Sequence, residues 1–486
     1  MSDAEPHTCV IIGAGFSGIC LGIHLRKAGI DDFVMLEKSG EVGGTWRDNH
    51  YPGAECDVPS ALYSFSFETK TDWDYTWSEQ PQILEYIRGT VRRHGLTAHI
   101  RLHSILREAS FDAQSGLWQL TLADGETLQA RFLISAVGQL HKPNIPALPG
   151  LESFAGPAFH SADWQHAVDL QGKSVAVIGN AASAVQFIPE IAGRVAQLTV
   201  FQRSANWVSR KLDRPYSDRQ KALLRRFPLL QKLARLKTYL RNEWMVFPAL
   251  RGNRLSRWLI TQGCMGYLNS VVTDTDLRRK LTPDYPVGAK RILVVDGYYE
   301  ALMRDNVELV TEPVRAIETN GVRTADGRLT ACDVLIFATG FVTNPFLDDI
   351  TIRSASGELL SEHWRDGAHA YLGIITAGFP NLFFLYGPNT NLGHNSILLM
   401  AESQARYIVQ AIDLARRSQT GVLEVDAAAE ERFDRQIQSR LNDMVWSQVS
   451  DSWYKTGDRI TNNWPGSVAE YKRATRRVKA ADFLLS

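Results

Sequence analysis

The sequence predicts an α/β protein made of two similar parallel-sheet units, with a helical insertion in the second. Three observations predict it: a strand, glycine loop, helix, strand pattern at the start of the chain; a second copy of that pattern from residue 174; and a long basic stretch of helical periodicity after the second copy. Each copy carries the signature of a Rossmann-like dinucleotide-binding domain.

In the first copy, the apolar run 9–12 meets Gly13, Gly15 and Gly18. Helical sequence follows to about Ala28, and a second apolar run, 33–36, ends in Glu37 and Lys38. The first glycine permits the tight turn, and the second lets backbone approach a pyrophosphate. The third lets the helix pack on the strand. Phe16 and Ser17 open the helix beside that phosphate site, and Glu37 stands where a carboxylate holds a ribose hydroxyl. The second copy runs from strand 174–178 through Gly179 and Asn180 into a helix carrying Ser183 and Gln186, then to strand 198–201. Ala181 and Ala184 replace the second and third glycines, and the methyl of Ala181 sits where pyrophosphate should approach, which weakens the NADPH expectation. Its second strand ends in Gln202, Arg203 and Ser204 rather than an acid. A cation and a hydroxyl suit a 2′-phosphate, so the expected nucleotide is NADPH rather than NADH.

Apolar runs at 132–146 and 333–341 flank the second copy, so one domain carries the other as an insertion. The expected domains are an FAD-binding part over 1–145, an NADPH-binding domain over 146–330, and a second FAD-binding part with the closing segment over 331–486. Hinges are expected at 142–149 and near Thr330. The basic stretch, about 205–290, has apolar residues at three- and four-residue spacing. It reads as a helical excursion from the NADPH domain with a solvated basic face. Contact with a membrane surface is the alternative.

Composition narrows the function. Hydrophobic residues make up 44%, charged residues 22%, and the formal net charge is zero, which gives no reason to expect a nucleic-acid partner. The five Cys form no CxxC and no close pair, which speaks against a disulfide scaffold, a metal site or a redox dithiol. The polar N-terminal stretch has no signal-peptide layout, and the expected location is the cytoplasm. Two nucleotide units imply electron transfer from NADPH to FAD. Disulfide reductases share that layout but need a thiol pair, so oxygen is the expected acceptor.

Further motifs name the chemistry. Gly43-Gly44-Thr45-Trp46, then Tyr51-Pro52-Gly53, then Asp57 resembles a fingerprint of the Baeyer–Villiger monooxygenases, at every defining position. Residues 154–164, with Phe154, Gly156, His160 and Trp164, resemble the family's other fingerprint, although Gln165 follows where Pro or Asp is usual. Lys290-Arg291 resembles the family's pair at the flavin–nicotinamide junction, and the segment from Asp451 resembles its closing region. The resemblance implies a fold of two nucleotide domains and an active-site arginine, Arg291, with Asp57 as its carboxylate partner. It places Gly44, Thr45, Trp46 and Tyr63 at the flavin, Lys290 at the junction, and Trp453 over the NADP site, with core packing as the other reading of Tyr63 and Trp453. His160 becomes a hinge residue rather than a base.

The implied reaction inserts one atom of O2 beside a ketone carbonyl, through a flavin peroxide and a tetrahedral adduct stabilised by Arg291. Oxidation of nitrogen or sulfur, hydroxylation of a long alkyl chain, and an uncoupled NADPH oxidase remain open alternatives. Two departures bear on the site. Glu55 stands where the family often has Arg and could alter Asp57's partner, and 386–396 replaces a Gly/Ser-rich run, with Asn391 to His394 expected on the substrate side. Substrate identity and oligomeric state stay open.

Overall fold

The structure, a computed structural model, describes residues 5–449 and 453–485. The first unit opens with β1 (His7–Ile12), β2 (Phe33–Leu36), β3 (Ile100–Arg101), β4 (Leu106–Asp112), β5 (Leu117–Leu122) and β6 (Thr127–Ser135). The second holds β7 (Ala158–His160), β8 (Ser174–Ile178), β9 (Gln197–Phe201), the short pair β10 (Val208–Ser209) and β11 (Leu293–Val294), and β12 (Val307–Val310). A small antiparallel sheet of β13 (Val314–Glu318), β14 (Gly321–Thr324) and β15 (Leu329–Ala331) precedes β16 (Val334–Phe337). The chain then adds β17 (Thr351–Arg353) and β18 (Leu382–Phe384).

Among the described residues, the first sheet has the order β17-β4-β5-β6-β1-β2-β3, with β18 beside β6. Its centre is parallel: Cys9 stands opposite Phe33 of β2 and opposite Phe132 of β6. Strands buried on both faces read as continuous apolar runs, and VIIG and FVML do so. The pleat still sorts their residues. Cys9, Ile11 and Met35 join the core beneath the helices Phe16–Lys27 and Leu398–Arg416, while Val10, Ile12 and Leu36 join Trp118 and Phe384 on the opposite face.

The second sheet has the order β12-β9-β8-β16-β7, all parallel. Here the structure corrects the expected division at 330/331. Strand β16, assigned by its sequence to the returning FAD part, lies in the second sheet between β8 and β7, with Leu335 opposite Ala176 and Ala158. An apolar run buried on both faces fits the centre of either sheet, so composition does not say which one it enters. The expected hinge near Thr330 is instead strand β15. The crossing back follows β16, and it runs beside the first crossing. Asn144 N–H donates to Gly340 O at 2.9 Å, and Val342 N–H donates to Lys142 O at 2.9 Å. His160, at the end of β7, sets its ring edge against Phe341 of that second crossing at 5.8 Å.

The excursion consists of helices Asp218–Arg226, Pro228–Arg241, Phe247–Leu250, Arg254–Val271 and Thr275–Leu281, with a π-helical turn at Asn242–Val246. Ser217 opens the first of them with a capping box closed by Gln220. Among the described residues, no helix is long and apolar enough to cross a membrane.

Candidate active site

Both glycine loops take the same backbone turn. Gly13 has φ +102°, and a Cβ there would lie 2.8 Å from Ala136 O; Gly179 has φ +106°, with Ala338 O at 2.3 Å from such a Cβ. Only glycine adopts that conformation beside a neighbouring strand at low cost. The helices that follow, Phe16–Lys27 and Ala182–Ala192, start at Gly15 and Ala181 without a side-chain cap. Their first-turn N–H groups are therefore left for an anion. Gly18, expected at the cofactor, is not on the cavity wall. A Cβ there would stand 2.1 Å from Gly13 O, so its role is to seat the helix on the loop. Glu37 is 3% exposed and accepts from Ala14 N–H at 3.0 Å and from Arg47 Nη1 at 2.8 Å. Its carboxylate thereby braces the loop against the next segment.

That segment, 43–57, is a joint. Gly43 (φ +131°) and Gly44 (φ +53°) let it pass against the first loop, where Gly43 N–H donates to Ala14 O at 3.1 Å. Trp46 Nε1 donates to Tyr63 OH at 3.0 Å, and Tyr63 stands edge-on to Phe16 at 5.5 Å. Tyr51 to Glu55 then dock on the second unit. Tyr51 OH donates to Gln186 Oε1 at 2.8 Å, and Gln186 Nε2 donates to Glu55 O at 3.0 Å. At Gly53 a Cβ would strike Gln186 O at 2.8 Å, so glycine is needed for the close approach. Gln186 borders the cavity, but its amide is committed to this docking.

A cavity of about 1220 Å³ opens between the units, at the C-terminal ends of β1, β6, β8 and β16, where open α/β sheets bind ligands. Gly13, Gly15, Phe16, Ser17, Glu37 and Lys38 form one end, and Gly44, Thr45, Trp46, Asp57 and Tyr63 continue its wall. At the other end stand Gly179, Asn180, Ser183, Arg203 and Ser204. Trp453 also faces it, with its carbonyl accepting from Thr343 Oγ1 at 3.1 Å. Sequence reasoning missed Gln139, His141, Asn144 and Tyr386, which border the cavity from the ends of strands and their crossings. The small-residue turns after β6 and β16 were the available signal.

Lys290 and Arg291 face different ends of this space. Strand β11 pairs with β10, Leu293 N–H donating to Trp207 O at 2.8 Å, and the chain bends at Lys290 just before it. Lys290 Nζ lies 3.4 Å from Ser204 Oγ and over the Tyr285 ring, with the second unit's polar residues. The Arg291 guanidinium meets Asp57, Nη2 to Oδ1 at 2.6 Å. Its side chain is 43% exposed, and that exposure is to the cavity. The carboxylate beside it holds the Arg291 proton more tightly than usual. Tyr386, φ +58°, donates to Asn391 Oδ1 at 2.8 Å; burial raises the pKa of its phenol, and the charge of Arg291 opposes that rise.

Glu55 does not pair with Arg291. It reaches Lys211, whose side chain is 2% exposed, and the two form an ion pair between the units. Burial still leaves the Glu55 carboxyl above its ordinary range, with Lys211 working against the rise. On the expected substrate side, Asn391, Leu392, Asn395, Ile397 and Leu398 border the cavity. His394 does not: it turns away to the Glu243 carboxylate, Nε2 to Oε1 at 3.1 Å. A buried carboxylate recruits the nearest donor, and that contact comes from a helix 151 residues earlier.

A pyridine nucleotide-disulphide oxidoreductase family description matches residues 10–239. The cysteines at 9, 20, 56, 264 and 332 are all buried and free, so the chain lacks the dithiol which that description implies. The chain is 41% identical over 479 residues to a Baeyer-Villiger monooxygenase of Pseudomonas aeruginosa, covering 98% of this chain and 91% of that protein. It is 39% identical over 476 residues to a Baeyer-Villiger monooxygenase of Streptomyces coelicolor, covering 97% and 91%. Its fold superposes on the crystal structure of cyclohexanone monooxygenase from Rhodococcus sp. Phi1 bound to NADP+ with a TM-score of 0.89 and 29% identity, covering 99% of this chain and 100% of that one.

Proposed function

The chain belongs to the Baeyer–Villiger monooxygenase family, and we propose that it inserts one oxygen atom of O2 beside a ketone carbonyl, giving an ester or lactone. It is an NADPH-dependent flavin monooxygenase, with FAD and NADPH as its cofactors. The uncapped helix starts and the glycine turns fit two dinucleotides, because first-turn N–H groups stand without a side-chain cap beside turns in which a Cβ would strike Ala136 O or Ala338 O.

In this reading the first unit holds FAD. Gly13, Gly15 and the amides of Phe16 and Ser17 take its pyrophosphate, Glu37 and Lys38 its ribose, and Gly44, Thr45, Trp46 and Tyr63 wall its ring. The second unit holds NADPH: Gly179, Asn180, Ser183 and Gln186 border its pyrophosphate, and Trp453 covers it. Arg203, Ser204 and Lys290 receive the 2′-phosphate. Bound FAD, reduced by NADPH, supplies the reducing power that makes O2 reactive. Arg291 stays cationic throughout, since a guanidinium does not lose its proton and Asp57 lies against it. It stabilises the negative charge that builds on the ketone oxygen, while Asp57 orients it. Leu392, Ile397 and Leu398 present apolar surface to the ketone and keep water from that charge.

The observation that carries this reading is the Arg291–Asp57 pair on the cavity wall between the two glycine loops. Turnover with isotopically labelled O2 and a cyclic ketone tests it. The ester is expected to carry one labelled oxygen. Release of all consumed O2 as hydrogen peroxide, or oxygenation confined to amines and sulfides, would refute it. Cofactor choice gives a separate check. Arg203→Ala is expected to raise KM for NADPH by about 10–100-fold, the value of a hydrogen bond to a charged group, and to leave KM for NADH nearly unchanged.

A further inference from the structure

The helical excursion turns apolar residues outward as well as inward. On Pro228–Arg241, Leu229, Leu233 and Leu236 lie along one face and are 65%, 52% and 49% exposed. Trp244 in the π-helical turn is 74% exposed, and Leu255 and Trp258 on Arg254–Val271 are 66% and 56% exposed. The opposite side of the same elements supplies Phe247, Leu250 and Tyr239 to the core shared with Trp446 and Leu392. The outward residues are therefore not needed for that core. Between residues 218 and 258 stand eleven Lys and Arg against two acids, Asp218 and Glu243. Glu243 is buried and occupied by His394, Asn395 and the N–H of Val468, so it offsets nothing at the surface. Of the eleven, Lys221 and Arg225 pair with Asp74 and Asp72, and Arg235 turns inward to Leu62 O and Ser64 O; the remaining excess lies in a chain whose formal net charge is zero.

We propose that this face docks the enzyme on an anionic lipid surface. An exposed apolar face of this kind marks an interaction site. The charge pattern selects its occupant. A second copy of the chain, related by a two-fold axis, would set this basic face against itself, which like charges oppose. An anionic bilayer satisfies both features: leucines enter the acyl boundary, Trp244 and Trp258 sit at headgroup depth, and Lys232, Lys237, Arg241 and Arg254 meet the lipid phosphates. The protein lies on the membrane rather than crossing it. The docking face connects directly to the cavity wall, because Glu243 holds Asn395, which borders the cavity, at 3.1 Å.

The test sediments the FAD-loaded full chain with vesicles of phosphatidylcholine alone and of phosphatidylcholine mixed with phosphatidylserine. Binding is expected only with the anionic lipid and is expected to weaken as salt is raised. The charge variant K232E/K237E is expected to lower the partition coefficient by at least about tenfold. The variant L229S/L233S/W258S is expected to lower it similarly, with NADPH oxidation in solution unchanged for both variants. The proposal fails if anionic vesicles leave the enzyme in the supernatant, or if both variants bind as the parent does. It also fails if sedimentation velocity shows a dimer that the leucine and tryptophan changes dissolve, because the face would then belong to a second copy.

Discussion

Replacing Arg291 with alanine is expected to remove ketone oxygenation, with kcat for ester formation falling by about 10²–10³-fold, the usual effect of deleting one preorganised donor at a developing oxyanion. The expectation rests on how that guanidinium is held. Strand β11 fixes the backbone two residues on, Asp57 engages Nη2, and the rest of the side chain faces the cavity. Reduction by NADPH under anaerobic conditions should remain, since Arg203, Ser204 and Lys290 are untouched. Oxygen uptake would continue with its electrons appearing as hydrogen peroxide, and sulfoxidation could survive. Arg291→Lys is a sharper comparison. A lysine keeps the charge but loses the planar fork that meets Asp57, so partial activity is expected. Ester formation by R291A within a few-fold of the parent would show that the charge is supplied elsewhere.

Replacing Lys211 with methionine is expected to cost about 3–5 kcal/mol of stability, because it leaves the Glu55 carboxylate without its cation in a buried joint. Glu55 reaches across to the second unit, and its own backbone is already tied to Gln186. Loss of the pair should therefore loosen the units along with the local turn. The pH dependence has a definite sign. The folded pKa of Glu55 lies above its unfolded value, so its contribution is fully present below the ordinary carboxylate range and is lost as pH rises through the folded value. Without Lys211 that folded value climbs further, and the deficit of the variant relative to the parent should widen from mildly acidic to mildly alkaline pH. Chemical denaturation at two pH values measures this. The double change E55Q/K211M should recover most of the loss, since neither charge is then left unmatched. Equal stability of K211M and the parent at both pH values would show that water already reaches the pair.

Legibility in the sequence followed the range of the interaction concerned. Gly13 and Gly179 were readable because a positive φ next to a strand is a local demand that only glycine meets. The stretch 43–57 was readable as a fingerprint, but its physical role was not. That role depends on Gln186, which meets Tyr51 from a position 135 residues later in the chain. Residues 386–396 showed the same limit. Asn391 and Asn395 reach the cavity wall, while His394 follows the pull of Glu243.

The sequence by itself determined two nucleotide cradles, because loop chemistry resides in consecutive residues, and its resemblance to the Baeyer–Villiger monooxygenases implied an oxygenase with Arg291 and Asp57 as candidates. The tertiary structure alone decided that β16 belongs to the second sheet, that Lys290 and Arg291 part toward opposite ends of the cavity, that Glu55 meets Lys211, and that leucines of the excursion stay in solvent. These outcomes depend on which surfaces remain uncovered once distant segments have met, and hydrophobic pattern and charge count do not encode that choice.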